Sequence, residues 1–131
     1  MAASVLIVED EALIAFHLQC LIEEAGHRVT AIARDPTEAM NAAALACPDF
    51  AMVDIRLAAG TSGIEAARLL YETWGVRCLF TSANLDAQTR QSVGGYKPLG
   101  FLGKPFLGNE VIDLVKCAAR EASTAHTGNS G

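Results

Sequence analysis

Phe50-Ala51-Met52-Val53-Asp54 is the stretch that decides the fold. Four apolar residues run without a break into a carboxylate, and Pro48-Asp49 punctuate the chain just before them. A short continuous apolar run between turn signals suits a strand of a parallel sheet, covered on both faces. Asp54 then stands at the carboxyl end of that strand. Open α/β sheets collect ligands and chemistry at that edge. On this stretch alone, an Asp that merely caps the next turn is an equally good reading.

The flanking segments repeat the pattern. Ser4 to Val8 reads as a first strand, followed by Glu9-Asp10 and by a helix with Ile14, Leu18, Leu21, Ile22 and Ala25 on one stripe. Gly26 is its natural stop. His17 lies inside this helix and takes no role. Arg28 to Ala33 alternates as a second strand. Asp35-Pro36-Thr37-Glu38 then opens an Ala-rich helix with a capping box, running to about Ala46. After Asp54 comes a loop from Arg56 to Gly63. A third helix follows, marked by Ile64, Ala67, Tyr71 and Trp74 and stopped by Gly75. Val76 to Phe80 is a fourth strand with Thr81-Ser82 at its end. Asn84 to Val93 is a weak helix, broken by Gly94-Gly95, and Pro98 predicts an irregular bend after it. Gly100 to Gly103 is a short fifth strand leading to Lys104-Pro105. A last helix carries Val111, Ile112, Val115, Ala118 and Ala119 on one stripe.

Five β-α units with right-handed crossovers give an α/β fold: a doubly wound, five-stranded parallel sheet with helices on both faces. The expected division is one domain over residues 1–122 and a disordered polar tail over 123–131. The tail ends without an obvious second domain, which favours a complete chain, and a receiver cut from a longer regulator is the open alternative. With 131 residues, 51% of them hydrophobic and 19% charged, the chain is long enough for one real core. A net charge of -5 and a pI near 5.1 argue against a nucleic-acid surface. No apolar run of about 18 residues is present to span a membrane, and Glu9-Asp10-Glu11 interrupt what could otherwise pass for a signal sequence. Cys20, Cys47, Cys78 and Cys117 lack CxxC spacing and lie in or beside apolar segments. They read as buried free thiols in a reducing cytoplasm.

In this fold Glu9-Asp10, Asp54, Thr81 and Lys104 all reach the same edge. Carboxylates that converge repel, by about 4 kcal/mol for two charges ~4 Å apart at an effective dielectric near 20. Such a site calls for a cation. Oxygen-only ligands with room for waters favour Mg²⁺ over Ca²⁺. Lys104 adds an ammonium, Thr81 a hydroxyl donor and Ser82 a backbone N–H. This collection fits a phosphoryl group on a carboxylate, with Asp54 as the attacking group.

The set Val8-Glu9-Asp10, Asp54, Thr81-Ser82 and Phe101-Leu102-Gly103-Lys104-Pro105-Phe106 resembles that of receiver domains of two-component response regulators. The likeness covers about residues 4 to 121, and its specificity lies in the ordered set rather than in any one motif. It implies a flavodoxin-like receiver fold with Asp54 as phosphoacceptor. Asp10 and Asp54 would be direct Mg²⁺ ligands, Glu9 would act through water, and the backbone carbonyl of Arg56 would complete the set. Lys104, with Thr81 and Ser82, would contact the phosphoryl oxygens. Thr81 and Phe101 would form the switch pair, and Lys104-Pro105 a cis peptide. The implied partners are a sensor histidine kinase or phosphotransfer protein and a separate output protein bound at the face made by the fourth helix, the fifth strand and the last helix. A weak or phosphorylation-dependent homodimer is compatible with it. The implied location is the cytoplasm.

Plainer readings stand beside these. Glu9 and Asp10 also suit a helix N-terminus, Thr81 suits any strand, and Phe101 suits a core. The Arg56 side chain has two open readings, on the phosphoryl group or in solvent. The chain departs from the common receiver pattern in having Leu57-Ala58 where Met-Pro is frequent, with Gly63 one residue late. Two other function classes are weaker. An aspartyl-phosphate hydrolase commonly uses DxD, and Asp54-Ile55-Arg56 lacks the second carboxylate. A flavin or nucleotide module needs a glycine-rich loop after the first strand, where this chain has Val8-Glu9-Asp10-Glu11.

Overall fold

The computed structural model of the protein describes residues 2–57 and 62–129, with side chains described as far as residue 123. Strands and helices alternate: β1 (Ser4–Val8), α1 (Ala12–Glu24), β2 (Arg28–Ala33), α2 (Pro36–Leu45), β3 (Phe50–Asp54), α3 (Gly63–Trp74), β4 (Arg77–Ser82), α4 (Ala87–Ser92), β5 (Gly100–Gly103) and α5 (Gly108–Asn129). The strands form one sheet in the order β2-β1-β3-β4-β5, and every pairing is parallel.

The apolar strands sort their side chains by the two-residue period of the pleat. Leu6, Val8, Ala51, Val53 and Phe80 face one way. There they pack with Ala39 and Ala43 of α2, Ala66, Ala67 and Leu70 of α3, and Val93. Val5, Ile7, Phe50, Met52 and Leu79 face the other way, onto Ala15, Leu18 and Ile22 of α1 and Val111, Val115 and Ala118 of α5. An uninterrupted apolar run in sequence is therefore two half-cores in space. Each fully buried Leu, Ile or Phe contributes about 1.5–3 kcal/mol.

Caps set several boundaries. Asp35 accepts from Glu38 N at 2.8 Å, but Glu38 closes the box on Arg34 N, also at 2.8 Å, rather than on Asp35 N. Gly75 adopts φ +70 at the end of α3, where a β-carbon would be strained. Asp86 caps α4 through Thr89 N at 2.8 Å, which moves the helix start past Asn84 and shortens it to Ala87–Ser92. A 3₁₀ turn over Gly94–Tyr96 and a left-handed Lys97 (φ 51) form the irregular bend expected before β5.

Three expectations need correction. β4 begins at Arg77 and carries Thr81 and Ser82 as its last residues, because both pair with β5 (Thr81 with Leu102, Ser82 with Gly103). The backbone of α5 runs on to Asn129 where a disordered tail from Ser123 was expected, while Ser130 and Gly131 lie outside the described residues. Only Cys78 is buried; Cys20, Cys47 and Cys117 are exposed. Cys20 and Cys117 fall off the buried stripes of their helices, and Cys47 sits in the turn before β3.

Burial pushes the Cys78 thiol up to about 12. A thiol reagent is therefore expected to modify the other cysteines in the native protein and to reach Cys78 only on unfolding; rapid native labelling of Cys78 would contradict this packing. A second expectation concerns α4, which buries none of its own residues, unlike α5 with Val111, Val115 and Ala118. Amides of Ala87–Ser92 should exchange faster than those of Val111–Ala119 in a hydrogen-exchange time course. Equal protection would show that α4 is held by more than its visible contacts.

Candidate phosphoryl-acceptor site

The site forms where the chain order of the sheet reverses. β1 is followed by β2 on one side and by β3 on the other, so the carboxyl ends of β1 and β3 border the crevice that α/β sheets leave at such a point. Backbone bonds extend the ladder one residue past the strands and fix what stands there. Glu9 N donates to Ala33 O at 2.9 Å, Ile55 N to Thr81 O at 3.0 Å, and Lys104 N to Ser82 O at 2.9 Å. Asp54 and Thr81 are direct partners in the β3-β4 register.

Three carboxylates meet here. Glu9, Asp10 and Asp54 each place an oxygen within 4.8 Å of the others. Glu9 is 1% exposed and Asp54 6%. The Lys104 ammonium sits between them, 3.0 Å from Glu9 Oε1 and 2.8 Å from Asp54 Oδ2. The remaining oxygens take backbone donors: Glu11 N to Glu9 Oε2 at 3.1 Å, and Arg56 N to Asp54 Oδ1 at 3.0 Å. Burial raises the Glu9 carboxyl above its usual range, against the opposing hydrogen bonds from Lys104 and Glu11. Burial also draws the Lys104 ammonium down, but its bonds to Asp54 and Glu9 outweigh this and leave it above its ordinary value. Among the described residues, Lys104 is one ammonium shared by the Glu9 and Asp54 carboxylates, with the Asp10 carboxylate beside them. The donors are oxygens only, so the residues fit a hard divalent cation.

Thr81 is buried, and its Oγ1 has no hydrogen-bond partner among the described residues. A buried hydroxyl without a partner costs about 1–3 kcal/mol. Ser82 uses its side chain locally, donating to Asn84 O at 3.1 Å and accepting from Asn84 N at 3.0 Å. Phe101 is half-buried, stacked on Phe80 with ring centroids 5.9 Å apart. The Lys104-Pro105 bond is cis. Arg56 is exposed as a residue, while its backbone turns back on Asp54. Gly63, at the start of α3, abuts the acceptor strand: a β-carbon there would lie 1.8 Å from the Asp54 carbonyl oxygen.

The structure thus brings Glu9, Asp10, Asp54, Thr81 and Lys104 to one place and sets Phe101 one step behind, on β5. Sequence reasoning missed three exposed apolar side chains. Leu13 (86% exposed), Phe16 (62%) and Leu107 (66%) lie close in sequence to Asp10 or Lys104. His17 stacks on Phe106 with centroids 6.1 Å apart, joining α1 to the β5-α5 loop. The signal was present, since Leu13 and Phe16 fall outside the buried stripe of α1.

A profile described as the response regulator receiver domain matches residues 5–116. The chain belongs to the response regulator receiver family. Among curated proteins it is 43% identical over 84 residues to the phyllosphere-induced regulator PhyR of Methylorubrum extorquens, a match spanning 63% of this chain and 32% of that one. Among solved structures, the response regulator PhyR from Brucella abortus aligns over 100% of this chain and 54% of its own, with 30% identity and a TM-score of 0.82. The signal receiver domain of a modulated diguanylate cyclase from Desulfovibrio desulfuricans aligns over 95% and 99%, with 29% identity and a TM-score of 0.83. The chain thus spans about a third of the curated relative and about half of the Brucella protein. It is a receiver domain of two-component signalling, and no helix among its described residues is long and apolar enough to cross a membrane.

The Lys104 contacts generate a test. Lys104→Met leaves Glu9 and Asp54 buried without their cation, and removal of one partner from a buried charge pair costs about 3–5 kcal/mol. The variant should melt well below the parent in EDTA at pH 7 and regain stability with Mg²⁺. It should also gain as the pH falls: the raised Glu9 carboxyl means that the folded state binds its proton more readily than the unfolded chain does. The Glu9 contribution is therefore full below about 4.5, the ordinary carboxyl value, and lost as the pH rises through the folded value. A melting temperature indifferent to Lys104, Mg²⁺ and pH would refute the charge balance described.

Proposed function

We propose that this receiver is a phosphorylation-dependent switch in which Asp54 accepts a phosphoryl group. The observation that carries the reading is the Lys104 ammonium 2.8 Å from an Asp54 carboxylate that is buried at the carboxyl edge of the sheet, beside the unpartnered hydroxyl of Thr81. An Asp54 oxygen forms the new O–P bond as the N–P bond of a phosphohistidine breaks, and the histidine nitrogen keeps the electron pair. Lys104 neutralises one phosphoryl oxygen. Thr81 Oγ1 donates to another, which meets its own hydrogen-bonding need. Mg²⁺ on Asp10, Asp54, the Arg56 carbonyl and, through water, Glu9 would supply charge neutralisation on the transferring oxygens. Ser82 contributes its backbone N–H. The chain acts as acceptor and switch rather than as a turnover enzyme.

The donor is a sensor histidine kinase or a phosphotransfer protein in the cytoplasm. Exposed Leu13 and Phe16 on α1, the helix that follows Glu9-Asp10, and Leu107, which follows Lys104-Pro105, support a donor that docks through apolar surface. On phosphorylation the α4-β5-α5 face, with Phe101 and Thr81 as its switch pair, changes its affinity for a separate output protein or for a second copy of the chain.

The test is labelling from a small phosphodonor. The parent should take up label in Mg²⁺ and lose the reaction in EDTA. Asp54→Asn should fall at least a hundredfold in uptake while it still folds, because the amide fills the same volume but cannot attack. Full labelling of Asp54→Asn would place the acceptor elsewhere.

A further inference from the structure

Arg90 lies on α4, outside the acceptor crevice, and does two things at once. Its guanidinium carbon sits 4.8 Å from the centroid of the Phe101 ring. Its Nε donates to Leu85 O in the β4-α4 loop at 3.1 Å. One side chain therefore touches β5 and the loop that leaves β4, from a helix that buries nothing of its own. The loop is short and held at both ends, by Ser82 with Asn84 and by the Asp86 cap on Thr89. Phe101 in turn stacks on Phe80, the residue before Thr81, and the two are direct partners in the β4-β5 register.

We infer that Arg90 is a positioning residue that latches Phe101, α4 and the β4-α4 loop in the unphosphorylated arrangement, and so sets how readily the phosphorylated arrangement forms. The inference rests on the phosphoacceptor reading of Asp54. The physical argument is one of differential contacts. Thr81 Oγ1 is buried without a partner, and an acceptor oxygen on Asp54, its partner across the β3-β4 register, gives that hydroxyl a reason to move. Any adjustment at the end of β4 passes to the loop and to the aromatic pair. Arg90 bonds to both as they now stand. A contact made only in the resting arrangement lowers the apparent affinity for a phosphoryl group by the worth of that contact. At an exposed cation–π site this amounts to about two- to fivefold.

The experiment uses the full chain and beryllofluoride with Mg²⁺ as the phosphoryl mimic. Arg90→Met keeps the aliphatic stem and removes the guanidinium, and Phe101→Leu removes the ring. Each single variant should bind the mimic about two- to fivefold more tightly than the parent, and the double variant no more tightly than Arg90→Met, which already lacks both contacts. Arg90→Lys, which keeps a cation for the ring but loses the Nε bond, should fall between parent and Arg90→Met. An unchanged or weakened affinity in Arg90→Met, or gains that simply multiply in the double variant, would overturn the latch, because a merely structural role predicts no gain. Hydrogen exchange without the mimic gives an independent arm: amides from Leu85 to Ser92 should exchange faster in Arg90→Met, and unchanged rates would also overturn it. If the parent binds no beryllofluoride at all, the phosphoacceptor reading fails, and the exchange arm alone decides the latch.

Discussion

The site depends on the Lys104 ammonium lodged between two buried carboxylates. Glu9 and Asp54 come from different strands, and at this edge they would push apart without a cation. With Lys104 in place each carboxylate has its second oxygen on a backbone N–H, so both are hydrogen-bonded in a place where burial disfavours charge. The result is a poised arrangement rather than a comfortable one. Among the described residues positive charge is in short supply, and one buried hydroxyl is left unmet. A divalent cation would meet the first deficit, and an acceptor oxygen placed on Asp54, the partner of Thr81 across the β3-β4 register, would meet the second.

The sheet makes that convergence unavoidable. Parallel strands all end at the same edge, so residues far apart in sequence become neighbours by topology alone. This is why the region from Phe50 to Asp54 was legible: a short apolar run with no polar face, set off by Pro48-Asp49, suits a strand covered on both sides. The same logic placed Glu9, Thr81 and Lys104, and the Gly75 and Asp35 signals fixed helix boundaries through their own backbone chemistry.

Other features were illegible for physical reasons. Residue type alone made the cysteines look buried, but burial is decided by the phase of a side chain on its helix, and Cys20 and Cys117 are out of phase with their stripes. The start of α4 was misplaced because the apolar content from Asn84 to Val93 is too thin to mark a boundary, and the Asp86 cap sets it instead. The structure engages Asn84 with Ser82 and leaves Asp86 to begin the helix. Arg90 carries no local signal at all, since its partner Phe101 belongs to a different element and the contact exists only in three dimensions. The polar character of residues 123–129 suggested irregularity, yet the helix they extend is already nucleated by its buried first turns, and continuing it costs little.

The approach of Gly63 to the Asp54 carbonyl has a consequence for how this loop tolerates change in length. Gly63 N bonds to Ile55 O at 2.9 Å, and Arg56 bridges Ser62 in antiparallel fashion, so the segment between them is closed at its neck. A residue gained or lost inside such a loop alters its circumference while its mouth stays fixed. The late position of Gly63 relative to the common receiver pattern can thus be absorbed without moving the acceptor. The neck works as a gasket between a strand that must not drift and a sequence that is free to vary, and it needs a residue with no side chain to seal.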